Sequence, residues 1–312
     1  MPGEVTAAEL VVADEVAAAL RQRRAVVGLE TTLVSHGFPG GQGLDVALAS
    51  EGRVRAAGAV PATIGIADGV IRIGLTLPEL ERFAAAGETA RKAGARDLAA
   101  CVVQGALGAT TVGGTLAVCR SAGIRFIGTG GTGGVHRGFA QTLDISSDLP
   151  QLARTPAMVV SSGAKSILDV AATSELLETL GVPVLGWRTG TLPLFYAVAG
   201  GPPVSAVVAS AAEAARIAAL HWRLAGRGGL LLARPPDPSL DIEPILAEAV
   251  RRVHDQGVSG QSVTPAVLSM VHDMSGGRSV DVNRKLIEDN AALAAEVAVA
   301  YAAQRPRPGQ KG

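Results

Sequence analysis

The chain is short of aromatics, of cysteine and of net charge, and each shortage removes a class of function. Its 312 residues include only 5 Phe, 2 Tyr and 2 Trp, little material for the stacked aromatic platforms that hold single-stranded nucleic acid. With 28 basic against 28 acidic side chains the formal net charge is zero, so no overall field draws in a nucleic-acid polymer or an anionic membrane. Cys101 and Cys119 are far from any C-x-x-C spacing and lie in apolar stretches, as reduced thiols do in a cytoplasmic protein. The first residues carry Glu4, Glu9, Asp14 and Glu15 and no basic n-region, and no apolar run reaches about 18 residues. A cytoplasmic protein without a membrane span is expected. Lysine is scarce too: Lys92, Lys165, Lys285 and Lys311 stand against 24 arginines. A lysine in a small, apolar stretch therefore invites a role that only an amine can fill, since an amine loses its proton and attacks carbon whereas a guanidinium does not.

What is present is a layered α/β pattern, with short β-branched runs alternating with longer helical ones. Strands are predicted at 25–29, 61–66, 70–75, 100–104, 124–128, 157–161, 183–187, 204–208 and 229–233. Helices are predicted at 8–22, 44–57, 79–86, 109–122, 165–180, 211–225, 243–256, 264–274 and 280–302. Asp68-Gly69 between two apolar runs predicts a hairpin, and so at least one antiparallel pair. The reading is a single three-layer α/β/α domain over 1–303 with a mixed, largely parallel sheet, followed by a disordered tail over 304–312.

Polar residues gather at the C-terminal ends of predicted strands, where open α/β sheets place ligands. The groups are Glu30-Thr31-Thr32 with Ser35-His36, the glycine run from Gly128 to Gly138 with His136 and Arg137, Asp144 to Asp148, and Ser161 to Ser166 around Lys165. Gly128, Gly130 and Gly133 satisfy G-x-G-x-x-G, yet Gly138 interrupts any following helix, so the context for a dinucleotide site is poor. The run better suits backbone N–H groups cradling a phosphate. Lys165 is placed at a helix start, where positive dipole and nearby cations favour the free amine; a solvated lysine is the plain alternative. Glu30 reads equally as a cap or a salt-bridge partner, and Asp144 and Asp148 as turn residues.

Taken together these stretches resemble the pseudouridine-5′-phosphate glycosidases, the family of the indigoidine synthase A-like proteins. The resemblance rests on Gly28 to Gly37, Gly58 to Ile64, Gly108 to Val112, Gly130 to Gly138, Asp144 to Leu149, Ser162 to Asp169, Gly181 to Val184 and Asn290-Ala291. It runs in order over roughly 8–302. It implies an indigoidine synthase A-like fold and reversible cleavage of the C–C glycosidic bond of pseudouridine 5′-phosphate to uracil and ribose 5-phosphate. By similarity Lys165 is the nucleophile, Glu30 the proton donor and Asp144 the ligand of one largely water-coordinated Mn²⁺. Lys92, Val112, Ser146, Ser147 and Asp148 bind substrate, and Thr129, His136 and Asn290 line the site. A homotrimer is implied in the same way.

The chemistry accounts for the residue types. A leaving carbon has no lone pair for a carboxylic acid to protonate, unlike the leaving oxygen of ordinary glycosides. Glu30 would instead protonate the ring oxygen, and the Lys165 amine would carry C1′ as an iminium while uracil departs. The chain departs from the family at Gly40-Gly41-Gln42-Gly43, where Pro and Asn are usual, and has Ser147 for Ala and Thr132 for Ile. Two alternatives remain at this stage: a related sugar-phosphate conjugate as in indigoidine formation, or a non-catalytic sugar-phosphate sensor.

Overall fold

The computed structural model describes residues 9–258 and 263–304; beyond Gln304, the expected tail lies outside the described residues. Its strands are β1 (Leu10–Val12), β2 (Val26–Glu30), β3 (Val60–Ala67), β4 (Val70–Ile73), β5 (Arg91–Ala93), β6 (Gly108–Thr110), β7 (Phe126–Gly128), β8 (Val135–His136), β9 (Met158–Ser161), β10 (Leu168–Asp169), β11 (Val184–Trp187), β12 (Ala206–Val208) and β13 (Leu230–Ala233). Eleven of them form one sheet whose main path is β1-β4-β3-β2-β7-β9-β13-β11-β12, and every pair from β3 to β12 along it is parallel. The antiparallel exceptions are β3 with β4 and β3 with β6. The β3–β4 turn places Asp68 and Gly69 at φ 54° and 76°, the left-handed pair that a two-residue hairpin needs. The mixed, largely parallel sheet expected from the sequence is present.

Alternation along the central strands builds two cores. Val27, Phe126, Met158, Val160, Leu230 and Leu232 face the helices Ala211–Ala225 and Arg278–Ala303. Val26, Ile127, Val159 and Leu231 face the other way, toward the helices Val112–Ala122 and Asp148–Arg154. With both faces covered, β2, β3, β9 and β13 are buried along their whole length, as parallel sheets are. This is the three-layer arrangement.

Four expectations are corrected. Residues 10–12 are not the start of a helix but β1, with Leu10 opposite Ile71; the helix begins only at Asp14, where Asp14 and Glu15 face its positive end. The run at 100–104 is not a strand: Leu98–Val103 is a helix that buries Cys101 against Ile66, because a short apolar run fits either element. Gly108–Thr110 is strand β6, so the helix expected from 109 starts at Val112. Lys165 does not begin a helix. Residues 165–167 are loop, β10 follows, and the helix starts at Val170 with Asp169 accepting a bond from Ala172 N–H.

Candidate active site

Beside β3, β2 runs out at Glu30, opposite Ile64, and β6 takes over opposite Gly65 and Ile66 in the reverse direction. Threonines seal this change of partner. The Thr31 hydroxyl donates to the Ile64 carbonyl at 2.8 Å and accepts from Thr110 N–H at 2.8 Å, while the Thr32 hydroxyl donates to the Thr110 carbonyl at 2.8 Å. The chain leaves the sheet here and the Glu30 carboxyl is left at the strand end, 4% exposed. The Thr129 hydroxyl donates to Glu30 Oε1. Burial pushes the Glu30 carboxyl above the ordinary glutamate range, against the pull of the Lys165 ammonium and the Thr129 bond.

Lys165 reaches the same cavity from the next strand but one. Past their ends, β7 and β9 continue side by side: Thr129 N–H bonds to Val160 O, Ser162 N–H to Gly130 O, Thr132 N–H to Gly163 O and Lys165 N–H to Thr132 O, at 2.8–3.1 Å. Gly163 makes the bend, with φ 81° and a Pro193 carbonyl oxygen 2.2 Å from where a Cβ would stand. Asn290, fully buried on the helix Arg278–Ala303, clamps these extensions by donating to Thr129 O at 2.8 Å and Ser162 Oγ at 3.1 Å.

The cavity measures about 220 Å³, and Glu30, Lys92, His136, Asp144, Ser146, Ser147, Asp148 and Lys165 all line it. It is below the roughly 300–1,000 Å³ of usual ligand pockets, which suits a sugar phosphate better than a dinucleotide. Lys92 enters from β5, held in register opposite Ala109. Burial pulls its amine below the ordinary lysine range, helped by Lys165 and opposed by Asp148, Glu30 and Asp144. Neither lysine joins a salt bridge within 4 Å among the described residues.

The remaining candidates divide. Asp148 Oδ1 accepts from Gly113 N–H at 2.7 Å and Oδ2 from Gly133 N–H at 3.0 Å, so its carboxylate ties the glycine loop to the helix Val112–Ala122. The Val112 side chain is in the core, and the residue does not line the cavity. Thr129 and Asn290 do not line the cavity; they lie behind Glu30. Arg137 is turned away, bonded to the carbonyls of Ser166 and Leu168 and paired with Glu243 at 3.4 Å. Within the glycine run the N–H groups of Thr129, Thr132, Gly133, Val135 and His136 are bonded inside the protein, which leaves fewer of them to meet a phosphate. Its glycines answer crowding, since a Cβ on Gly128 would sit 2.8 Å from Ala291 Cα and one on Gly133 2.1 Å from Ser146 Oγ. Arg96, Thr111 and Asp97 also line the cavity; nothing in their spacing marks them.

Asp144 stands at the rim, where β8 lies between β10 and residues 144–146. His136 Nδ1 is 3.8 Å from Asp144 Oδ2, and burial pulls the imidazole below its ordinary range, with Asp144 opposing. Among the described residues no three or more His, Cys, Asp or Glu are close enough together to hold a metal ion between them. One carboxylate fits a hard divalent ion that keeps most of its waters, and does not fit zinc.

A buried acid and an amine face one cavity at the strand ends of an α/β sheet, the pairing of groups that amine nucleophiles use on a carbonyl carbon. The chain belongs to the family described as indigoidine synthase A like protein, whose pattern matches residues 15–300. It is 47% identical to the pseudouridine-5′-phosphate glycosidase of Chloroflexus aurantiacus over 92% of this chain and 97% of that one. To the enzyme of that name from Escherichia coli it is 42% identical, over 94% and 95%. Among solved structures it resembles the prealnumycin C-glycosynthase AlnA in complex with ribulose 5-phosphate, with a TM-score of 0.87, 42% identity and coverage of 95% and 97%. An indigoidine synthase A-like protein of Thermotoga maritima gives a TM-score of 0.84 at 33% identity, over 96% and 98%.

Proposed function

We propose that the chain is a pseudouridine-5′-phosphate glycosidase that cleaves the C1′–C5 bond reversibly through a covalent Lys165–sugar iminium. The observation that carries this reading is Glu30, a buried carboxylic acid, and Lys165, a lysine with no salt-bridge partner, on the walls of one cavity.

Burial favours the protonated form of Glu30, so it donates to the ribose ring oxygen and the C1′–O4′ bond opens with its electrons on oxygen. C1′ is left electrophilic and conjugated with the uracil ring. The Lys165 amine adds there, forming a C–N bond. The proton it sheds goes to uracil C5; the C1′–C5 bond then breaks while the nitrogen lone pair forms the iminium. Water adds to the iminium and returns a proton to Glu30, and ribose 5-phosphate leaves Lys165. Arginine at 165 would have no lone pair to offer. Lys92 and the Ser146-Ser147 segment hold the phosphate end, while Asp148 acts by fixing the loop and helix that shape the floor. Asp144 would hold a hydrated Mn²⁺, which would supply a charged contact to the base, and His136 lines the cavity beside it. A phosphate monoester substrate stays inside the cell, which supports the cytoplasm as the place of action, and a homotrimer is proposed from the family resemblance alone.

The likeness to a C-glycosynthase favours one second reading, formation of a C–C bond to another acceptor, and a panel of nucleobase and aromatic acceptors separates the two. The test of the covalent step is borohydride trapping with Mn²⁺ and ribose 5-phosphate, read by mass spectrometry. A pentose-phosphate adduct on Lys165, lost in Lys165→Ala together with turnover, is expected. Normal uracil release by Lys165→Ala would sink the mechanism.

A further inference from the structure

His36 stands in the first of the polar groups that the sequence marks, shortly after Glu30, yet it does not line the cavity of Glu30 and Lys165. Its ring is instead bonded to the segment that delivers Lys92. Nε2 is 3.0 Å from the Ala90 carbonyl oxygen, which can only accept, so this nitrogen carries a proton and donates it. Ala90 stands directly before β5 and is buried among Val34, Leu80, Phe83 and Ala109. Beside His36, the Ser35 hydroxyl donates to the Phe83 carbonyl at 2.9 Å. The short helix Thr32–His36, which follows Glu30 and Thr31, thus grips the segment 83–90 at both ends.

That grip matters because β5 has little else to hold it. It is three residues long, and among the described strands it pairs with β6 alone. Backbone with so few partners opens easily. Lys92 carries its charge on a flexible stem and joins no salt bridge, so its aim follows from where β5 sets its backbone. Histidine also suits the place. Burial pulls the His36 imidazole below its ordinary range; the Ala90 bond opposes this, the Lys92 charge adds to it, and Glu88 opposes it. The ring therefore donates as a neutral group, where an arginine or a lysine would set a further cation beside Lys92.

On the reading in which Lys92 grips the phosphate end of the substrate, we infer that His36 is a positioning residue: by holding the Ala90 carbonyl it fixes the entry of β5, and with it the reach of Lys92 into the cavity. One continuous stretch, 30–36, then carries the proton donor and braces the phosphate grip.

Glutamine and asparagine at position 36 test this in the full chain. Both are neutral donors, but only the glutamine amide reaches as far as Nε2, so His36→Gln should keep the bond and His36→Asn lose it. Calorimetry with ribose 5-phosphate reads the grip without turnover. His36→Asn is expected to bind about tenfold more weakly than the parent, the worth of about one hydrogen bond, and His36→Gln within about threefold of it. Lys92→Met should also bind weakly, and adding His36→Asn to it should cost no further affinity, since the histidine acts through Lys92. A merely structural histidine would weaken both backgrounds alike. Parent affinity in His36→Asn, equal weakening in His36→Gln, or losses that multiply in the double variant overturns the inference. Uracil release from pseudouridine 5′-phosphate is followed in parallel. A parent that binds ribose 5-phosphate but releases no uracil fails the glycosidase reading alone, and one that does not bind it overturns both.

Discussion

Replacing Asp148 by asparagine removes one charge and one acceptor from the joint between the glycine loop and the helix Val112–Ala122. In the parent, one carboxylate oxygen receives Gly113 N–H at 2.7 Å and the other Gly133 N–H at 3.0 Å, and the residue is 6% exposed. The asparagine amide keeps one acceptor, so one N–H stays bonded while the other faces an NH₂ donor. A hydrogen bond to a charged group contributes about 1.5–3 kcal/mol and a stranded buried donor costs about 1–3 kcal/mol. These overlap, and the net loss is about 2–4 kcal/mol. At about 2.1 cal/mol/K of unfolding entropy per residue, a chain of 312 residues shifts its melting point by about 1.5 °C per kcal/mol, so differential scanning fluorimetry should show a fall of roughly 3–6 °C. A second readout is the KM for pseudouridine 5′-phosphate, which should rise because Gly133, on the cavity wall, loses its tie to the helix Val112–Ala122. A melting point within about 2 °C of the parent, with KM unchanged, would refute the reasoning that Asp148 acts as a joint.

Glu30→Gln should lower turnover about 10²–10⁴-fold, the usual contribution of a general acid, without unfolding the protein, since the amide oxygen can still accept from Thr129. Burial raises the Glu30 pKa, so the folded state holds this proton more tightly than the unfolded chain. The parent's stability relative to Glu30→Gln therefore falls as pH rises from the ordinary glutamate range through the raised value, and the glutamine variant gains most above it. Activity of the parent should decline over the same rise, as the acid form is lost; a flat kcat/KM profile there would contradict Glu30 as donor. Gly163→Ala meets both φ 81° and the Pro193 oxygen and should cost about 2–5 kcal/mol. Gly52→Ala, within a helix with nothing inside 4 Å, should instead add about 0.5–1 kcal/mol; urea unfolding of the pair checks both signs. Asp144→Ala should melt like the parent yet lose Mn²⁺ binding by calorimetry, and full Mn²⁺ affinity in that variant would remove Asp144 as the ligand.

Where local pattern and environment agree, the fold was legible from the residues. Asp68-Gly69 announced the hairpin, and 211–225 matches the observed helix end to end because Ser210 caps it and Gly226 closes it. Legibility failed where tertiary partners decide. Leu98–Val103 has an apolar run that fits strand or helix, and its helical choice follows from burying Cys101 under β3. Lys165 was read into a helix because the pattern after it is helical, whereas β10 and β8 pair first and delay the helix to Val170. In the site, Glu30, Lys92, Asp144 and Lys165 were singled out and do share a cavity. The scaffold roles of Asp148, Thr129 and Asn290 were hidden, since hydrogen bonds between residues 99 or 161 positions apart leave no periodic trace. The glycine run is ambiguous for a related reason: glycine demanded by a neighbouring helix looks the same in sequence as glycine demanded by a phosphate.

Asn290 also sets a timetable. The acid is at residue 30 and the amine at residue 165, but the side chain that clamps the two strand extensions comes from the last described helix. At about 5–20 residues per second of synthesis, roughly 13–50 s separate the appearance of Glu30 from that of its final support. The parallel ladder through β2, β7 and β9 can assemble meanwhile, with the gap beside Thr129 and Ser162 unfilled. A nascent chain in that interval already carries Lys165 but not the completed surroundings of Glu30. The walls that Glu30 and Lys165 share are thus fully braced only once the helix Arg278–Ala303 docks and Asn290 reaches Thr129 and Ser162.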